Sequence, residues 1–348
     1  RMTDRIVGID PHKRNYTYVV KDGPTTHDHE TQVPATHDTL DNLIDAYPDA
    51  NYLLEACGYH TWMHDHLQEA DCTVIVAQPQ ERDHNEREKS DLADTHRLIK
   101  KHRLGDLNTV HTGTPTQREH RSINRKRKLL VEKRDALRNS IEDTLACHGW
   151  HAQDHPHPFT DEGRAQACEV LPHLTCLYEA VDALDDQVEA LEAHLEDHAR
   201  EDDYQEHLRS IPGLGPLTAH ALSAEIMNPD RFQRADEVVA YFGLDPEWVE
   251  SAGQRRDQHR ISKKGPGYVR GLLVQAAWTH IRESPASTIT QAYQAKADEK
   301  TPQQAIVMAA RKLLRVAWTL MREERGFHPE GPPPSSSCPS PTSTAAAT

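Results

Sequence analysis

Four carboxylates stand where strands and a helix could deliver them to one place. Asp10 follows the apolar run 6–9, Glu55 follows residues 52–54, and Asp91 and Asp94 lie three residues apart just behind Ser90. Residues i and i+3 of a helix share a face, and neighbouring strands of a sheet end close together. A helix packed at that edge would bring all four acids to one point. Clustered carboxylates repel unless a cation neutralises them. Hard oxygen donors suit Mg²⁺ or Mn²⁺, which bind phosphate oxygens and can sit as a pair. The chemistry served is attack on a phosphodiester. Each acid alone has an ordinary alternative as a solvated turn residue, or for Asp91 as a first-turn acid favoured by the helix dipole. The case rests on the set.

A second group lies far along the chain. Ser251 is followed by Ala252 and Gly253, and Arg255, Arg256, Arg260, Lys263 and Lys264 come after it. A hydroxyl beside small residues is sterically open, and it could reach a backbone phosphate that arginines hold. A loop or capping serine would look the same, and no general base is adjacent. Upstream, Pro212-Gly213-Leu214-Gly215 precedes a run of small and apolar residues. It has the form of a helix-hairpin-helix turn, in which Gly213 and Gly215 would let a phosphate approach the following helix start. A tight helix-to-helix turn with no ligand is the alternative.

The elements that must position these residues are partly visible. Runs 6–9 and 16–20 read as strands around a turn at 11–15, the start of an antiparallel pair. Helices are predicted at 40–46, 58–69 and 91–98, the last capped by Ser90, and strands at 52–54 and 72–76. Alternating strands and helices imply an α/β domain with a mixed sheet over 1–112, ending where Thr112-Gly113-Thr114-Pro115 breaks the periodicity. A long helix is predicted at 118–147. Leu174, Leu177, Val181, Leu184, Val188, Leu191 and Leu195 then form a heptad seam, so 113–207 reads as a helical, coiled-coil region. The seam needs a helical partner, either within the chain or across an oligomer. A mainly α domain follows over 208–326, with helices at 217–226, 235–242, 266–283, 286–298 and 302–325. The Pro/Ser/Thr/Ala tail, 327–348, has too few apolar side chains to fold.

A net charge of -15 over 348 residues argues against a nucleic-acid partner until its distribution is read. Residues 118–138 carry nine Lys/Arg against three acidic residues, whereas 179–206 carry twelve acidic residues against one arginine. The basic block Arg125, Lys126, Arg127 and Lys128 is therefore assigned to RNA or DNA backbone, with a solvated helix face as the alternative. Six scattered cysteines, with no Cys-x-x-Cys pair, suit neither a zinc ribbon nor a disulfide scaffold. No signal peptide opens the chain and no run of 18 apolar residues occurs, so a membrane is not expected and the cytoplasm, at the nucleoid, is.

Five motifs in order now carry a family resemblance: Gly8-Ile9-Asp10-Pro11-His12-Lys13, Leu54-Glu55-Ala56-Cys57-Gly58, Lys89-Ser90-Asp91-Leu92-Ala93-Asp94, Ile211 to Thr218, and Ser251-Ala252-Gly253 through Arg260-Ile261-Ser262-Lys263-Lys264-Gly265. Over about residues 5–326 the chain resembles the transposases of the insertion sequence 110 family, relatives of the Piv DNA invertase. The resemblance implies an RNase H-like, RuvC-like first domain whose DEDD metal tetrad maps onto Asp10, Glu55, Asp91 and Asp94. It implies a serine nucleophile at Ser251, forming a covalent link to DNA. It further implies a homo-oligomer (dimer or tetramer), donor and target DNA as substrates, and guidance by a non-coding bridge RNA. One departure is Glu250-Ser251-Ala252-Gly253 where Gln-Ser-Gly-Gly is commoner, which touches the loop shape and not the hydroxyl. Two other readings remain at this stage. One is a RuvC-like nuclease or junction resolvase using water as nucleophile. The other is a non-enzymatic nucleic-acid scaffold, against which the intact tetrad argues.

Overall fold

A computed structural model describes residues 5–23, 29–79, 90–251 and 254–330, excepting the side chains of 248–251 and 254–259. The chain divides into two compact units, Arg1–Thr112 and Gly113–Thr348.

The first unit is built on a five-stranded sheet. Its elements in chain order are β1 (Arg5–Pro11), β2 (Asn15–Asp22), β3 (His29–Pro34), α1 (His37–Ala46), β4 (Asn51–Glu55), α2 (His60–Glu69), β5 (Thr73–Ala77) and α3 (Asp91–Leu104). The strand order is β3-β2-β1-β4-β5. β1, β2 and β3 form an antiparallel meander, and β4 and β5 run parallel to β1. A mixed sheet of this order is compatible with an RNase H-like fold. β1 and β4 are buried on both faces, as expected of strands covered by helices. Val7, Ile9, Leu54, Leu40 and Leu67 fill one side, and Ile6, Val19, Leu53, Leu98 and Ile99 the other. The strand β3 was not foreseen. Its sequence, His-Glu-Thr-Gln-Val-Pro, lies at an exposed edge and carries no apolar alternation.

The second unit begins with α4 (Pro115–Cys147), α5 (Asp161–Val170), α6 (Thr175–Ala199), α7 (Tyr204–Arg209), α8 (Pro216–Ile226) and α9 (Ala235–Tyr241). The hairpin β6 (Pro246–Ser251) and β7 (Gln254–Ile261) follows, then α10 (Gly267–Glu283), α11 (Thr288–Ala297) and α12 (Pro302–Glu323). The heptad seam of α6 finds its partner within the chain. Arg127 of α4 pairs with Glu192, Arg134 with Asp185, and the His120 and His198 rings lie 4.3 Å apart. Numbers rising on one helix as they fall on the other make the pair antiparallel. Ile141, Leu145, Leu174, Tyr178 and Val181 form its apolar end. At its centre α8 is buried from Thr218 to Ile226. It shares a core with Leu273 of α10 and Leu313 and Trp318 of α12.

Two expectations change, and one element is new. The boundary expected at 207/208 does not separate compact bodies, because α8 packs on α4 and α6 as well as on the helices after it. The stretch 246–261 folds as a hairpin, hidden in sequence by its run of polar and basic residues. Residues 327–329, assigned to the tail, are held in place: Phe327 N–H donates to Ser210 Oγ at 2.7 Å, and Thr288 N–H to the Pro329 carbonyl at 3.2 Å. The rest of the tail, 331–348, lies outside the described residues.

Candidate metal centre and basic surfaces

The parallel pairing of β1 with β4 sets Ile9 beside Leu54, so Asp10 and Glu55 emerge at neighbouring strand ends. The helix α3 supplies the other two acids. Ser90 begins it as the N-cap, its Oγ accepting from Ala93 N–H at 3.2 Å, which sets Asp91 and Asp94 in the first turn. Gly8 decides how near α3 can come to β1. A Cβ at Gly8 would lie 2.9 Å from side-chain atoms of both Thr95 and Ile99, which are buried. Glycine at this position is what permits α3 to cross β1 at that distance.

The four acids feel one another. Burial pushes the Asp10 carboxyl up to about 6, against the pull of His12 and with the added charge of Asp91 and Asp94. Burial also pushes Glu55 up to about 7, helped by Asp10 and Asp94 and opposed by Arg97 and His12. Asp94 has its own cation, accepting from Arg97 Nη1 at 2.7 Å. Ligand atoms of Asp10, His12 and Asp91 all lie within 4.8 Å of one another. The Nε2 of His12 is 3.5 Å from Asp10 Oδ2 and 3.0 Å from Asp91 Oδ2. Among the described residues that nitrogen is enclosed and has no partner in hydrogen-bonding geometry. Two carboxylates beside an enclosed imidazole nitrogen fit a divalent cation. His12 was missed as a site residue. Its signal was the Asp-x-His spacing, since residues two apart on extended chain share a face.

The second unit holds the other predicted residues. Ser251 is the last residue of β6, paired in register with Gln254, the first residue of β7. Ala252 and Gly253 lie outside the described residues, as do the side chains of Ser251, Arg255 and Arg256. At the base of the hairpin Arg260, Lys263 and Lys264 are exposed. Arg260 and Lys263, with Lys300 and Arg311, line a groove of about 410 Å³ whose described walls carry no carboxylate.

The block on α4 is less free than its charge suggests. Arg125 binds the fully buried Glu225 of α8 at 2.9 Å, Arg127 Nε donates to Glu192 at 2.6 Å, and Lys128 pairs with Glu132. Only Lys126 of the four is exposed with no acid partner among the described residues. Glu225 also takes Arg121 and the hydroxyls of Tyr241 and Tyr268. No periodicity marks this acid, which sits inside an apolar helix. Gly213 (φ +81°) is equally occupied, because a Cβ there would meet His280 N at 2.5 Å. His280 Nδ1 donates to the Pro212 carbonyl at 2.7 Å, since a carbonyl can only accept. Gly213 therefore serves close packing of its turn on α10. Gly215, at the start of α8, faces open space.

Residues 7–148 match the DEDD transposase model of the IS110 type, and residues 205–294 match the model described as Transposase IS116/IS110/IS902 family. The chain belongs to this transposase family. Among its relatives is a Pseudomonas aeruginosa protein described as "Probable family 20 transposase", 27% identical over 81% of this chain and 87% of the relative. The transposase for insertion sequence element IS1111A of Coxiella burnetii is 24% identical, over 79% of this chain and 78% of its own. The transposase for IS1328 of Yersinia enterocolitica is 24% identical, over 83% and 88%. The substrate of this transposase is DNA, and its activity the cutting and joining of DNA in transposition. No described helix is long and apolar enough to cross a membrane.

Proposed function

We propose that the transposase exchanges DNA strands by metal-dependent phosphodiester chemistry, with Asp10, Glu55, Asp91 and Asp94 as the metal centre of a RuvC-like domain. The observation that carries this reading is the approach of Asp10 to Asp91, whose ligand atoms lie within 4.8 Å, with Glu55 at the neighbouring strand end. Asp10, Glu55 and Asp91 would hold Mg²⁺ or Mn²⁺, and Asp94, already tied to Arg97, would steer that side of the site. When bound, the cation supplies Lewis-acid stabilisation of charge on the phosphate oxygens.

In this reading Ser251 is the nucleophile. Its Oγ forms a bond to phosphorus as one P–O bond to deoxyribose breaks. The hydroxyl proton passes to a base, and the freed deoxyribose oxygen takes one up. The serine ester conserves the phosphodiester energy, so a second strand end can reverse the step and join. Support comes from its place at the tip of a hairpin whose base carries exposed cations. Arg260 and Lys263, in their acid-free groove, would hold backbone phosphates. The family resemblance adds a non-coding guide RNA and a homo-oligomer, and it divides the chain functionally into a metal domain (1–112), a helical region (113–207) and a serine domain (208–326).

The test is a cleavage assay on DNA carrying the element's ends. Wild-type protein with Mg²⁺ should leave a covalent protein–DNA adduct, absent in Ser251→Ala and in Asp10→Asn. Protein-free cleavage products that do not require Ser251 would replace this reading with a water-using nuclease. RNA co-purifying with the full chain, and matching the flank of the element, would support the guide.

A further inference from the structure

His12 stands apart from the acidic tetrad in chemistry but not in space. It follows β1 at the turn into β2, with its N–H donating to the Asn15 carbonyl at 2.9 Å. The turn is thereby fixed, and the side chain lies on the same side of the chain as Asp10, two residues back. We propose that His12 is a direct ligand of the divalent cation, so that the centre has a nitrogen donor among its oxygens and favours Mn²⁺ over Mg²⁺ more strongly than carboxylates alone would. This rests on the reading of Asp10, Glu55 and Asp91 as metal ligands.

The distances are those of one coordination sphere. An octahedral ion with bonds of about 2.1 Å places adjacent ligand atoms about 3.0 Å apart and opposite ones about 4.2 Å apart. His12 Nε2 lies 3.0 Å from Asp91 Oδ2 and 3.5 Å from Asp10 Oδ2, and all three ligand atoms fall within 4.8 Å of one another. Two carboxylates and one imidazole thus lie close enough together to share a single ion. The enclosed Nε2 is the independent observation. It has no surface open to water, and its approach to Asp91 misses hydrogen-bonding geometry despite the short distance. A nitrogen so placed can give its lone pair to a cation that the two acids beside it also hold. Asp94 is the weaker candidate ligand because Arg97 already neutralises it. Imidazole is a borderline donor that Mg²⁺ takes poorly and later divalent metals take well.

The experiment uses the full chain, with Mn²⁺ and Mg²⁺ as probes. Mn²⁺ binding is followed by electron paramagnetic resonance, ¹⁴N modulation of the bound Mn²⁺ signal reports imidazole coordination, and Mg²⁺ affinity comes from competition. Wild type should show Asp10-dependent Mn²⁺ binding with nitrogen modulation. His12→Ala and His12→Asn should lose the modulation and bind Mn²⁺ roughly tenfold more weakly, with a smaller loss for Mg²⁺. His12 is partly exposed in a hairpin turn, and circular dichroism of both variants checks that the fold is kept. Asp10-dependent binding that shows no nitrogen modulation, or modulation that survives His12→Ala, overturns the ligand role and leaves the carboxylate centre standing. Mn²⁺ binding indifferent to Asp10→Asn overturns both.

Discussion

At the scale of single residues, burial decides which groups carry charge. His220, on α8, is buried, and that burial pushes its imidazole down to about 4. Its folded-state pKa lies below the ordinary value near 6.5, so it folds as the neutral form. The stability it contributes is present above about pH 6.5 and lost as pH falls toward 4, because the unfolded chain takes up the proton first. The full loss is on the order of 3 kcal/mol for a shift from 6.5 to about 4. Urea denaturation at pH 7 and pH 4.5 should show His220→Gln with a visibly flatter acid dependence than wild type. Equal slopes would mean that His220 titrates normally. Glu225, also on α8, is buried too, and two arginines and two tyrosine hydroxyls surround its carboxyl group.

At the scale of elements, packing distance positions the chemistry. The helix α3 meets β1 over Gly8, and an added methyl must displace Thr95 and Ile99, both β-branched and buried. Gly8→Ala should destabilise the first unit by about 1–3 kcal/mol. It should also weaken Mn²⁺ binding, because Asp91 and Asp94 ride on α3; calorimetry on the variant measures both. A stability loss with metal affinity untouched would separate the helix from the site. On α4, charge is spent inside the fold. Lys126→Ala should lower the slope of log K against log salt for nucleic-acid binding by about one contact. Arg127→Ala, which removes a pairing with Glu192, should change it less. Equal effects from the two would show the ion pair opening on binding.

At the scale of the whole molecule, the two compact units divide the proposed labour, since every proposed metal ligand lies within Arg1–Thr112. A fragment ending at Thr112 should therefore fold and bind Mn²⁺ with an affinity near that of the full chain, measured by the same resonance titration, while forming no adduct with DNA. Loss of metal binding in a folded fragment would mean that a ligand comes from elsewhere. The charge asymmetry of the chain also finds its reason at this scale. Acidic residues of α6 pair with basic residues of α4, as Glu192 with Arg127 and Asp185 with Arg134, so part of the charge of each helix is met by the other.

The amino-acid sequence alone settled the local features of this protein. Apolar runs ending in Asp10 and Glu55 marked β1 and β4. Ser90 marked the start of α3, and the leucine-rich heptads marked α6. These signals act within a strand or a turn of helix, where neighbours in sequence are neighbours in space. Tertiary structure alone decided the partners: that His12 faces Asp91, that Arg125 is held by Glu225, and that Gly213 lies against α10. Those pairs are separated by some 70 to 100 positions. No periodicity or cap encodes a contact at that range, which only the folding of the whole unit brings about.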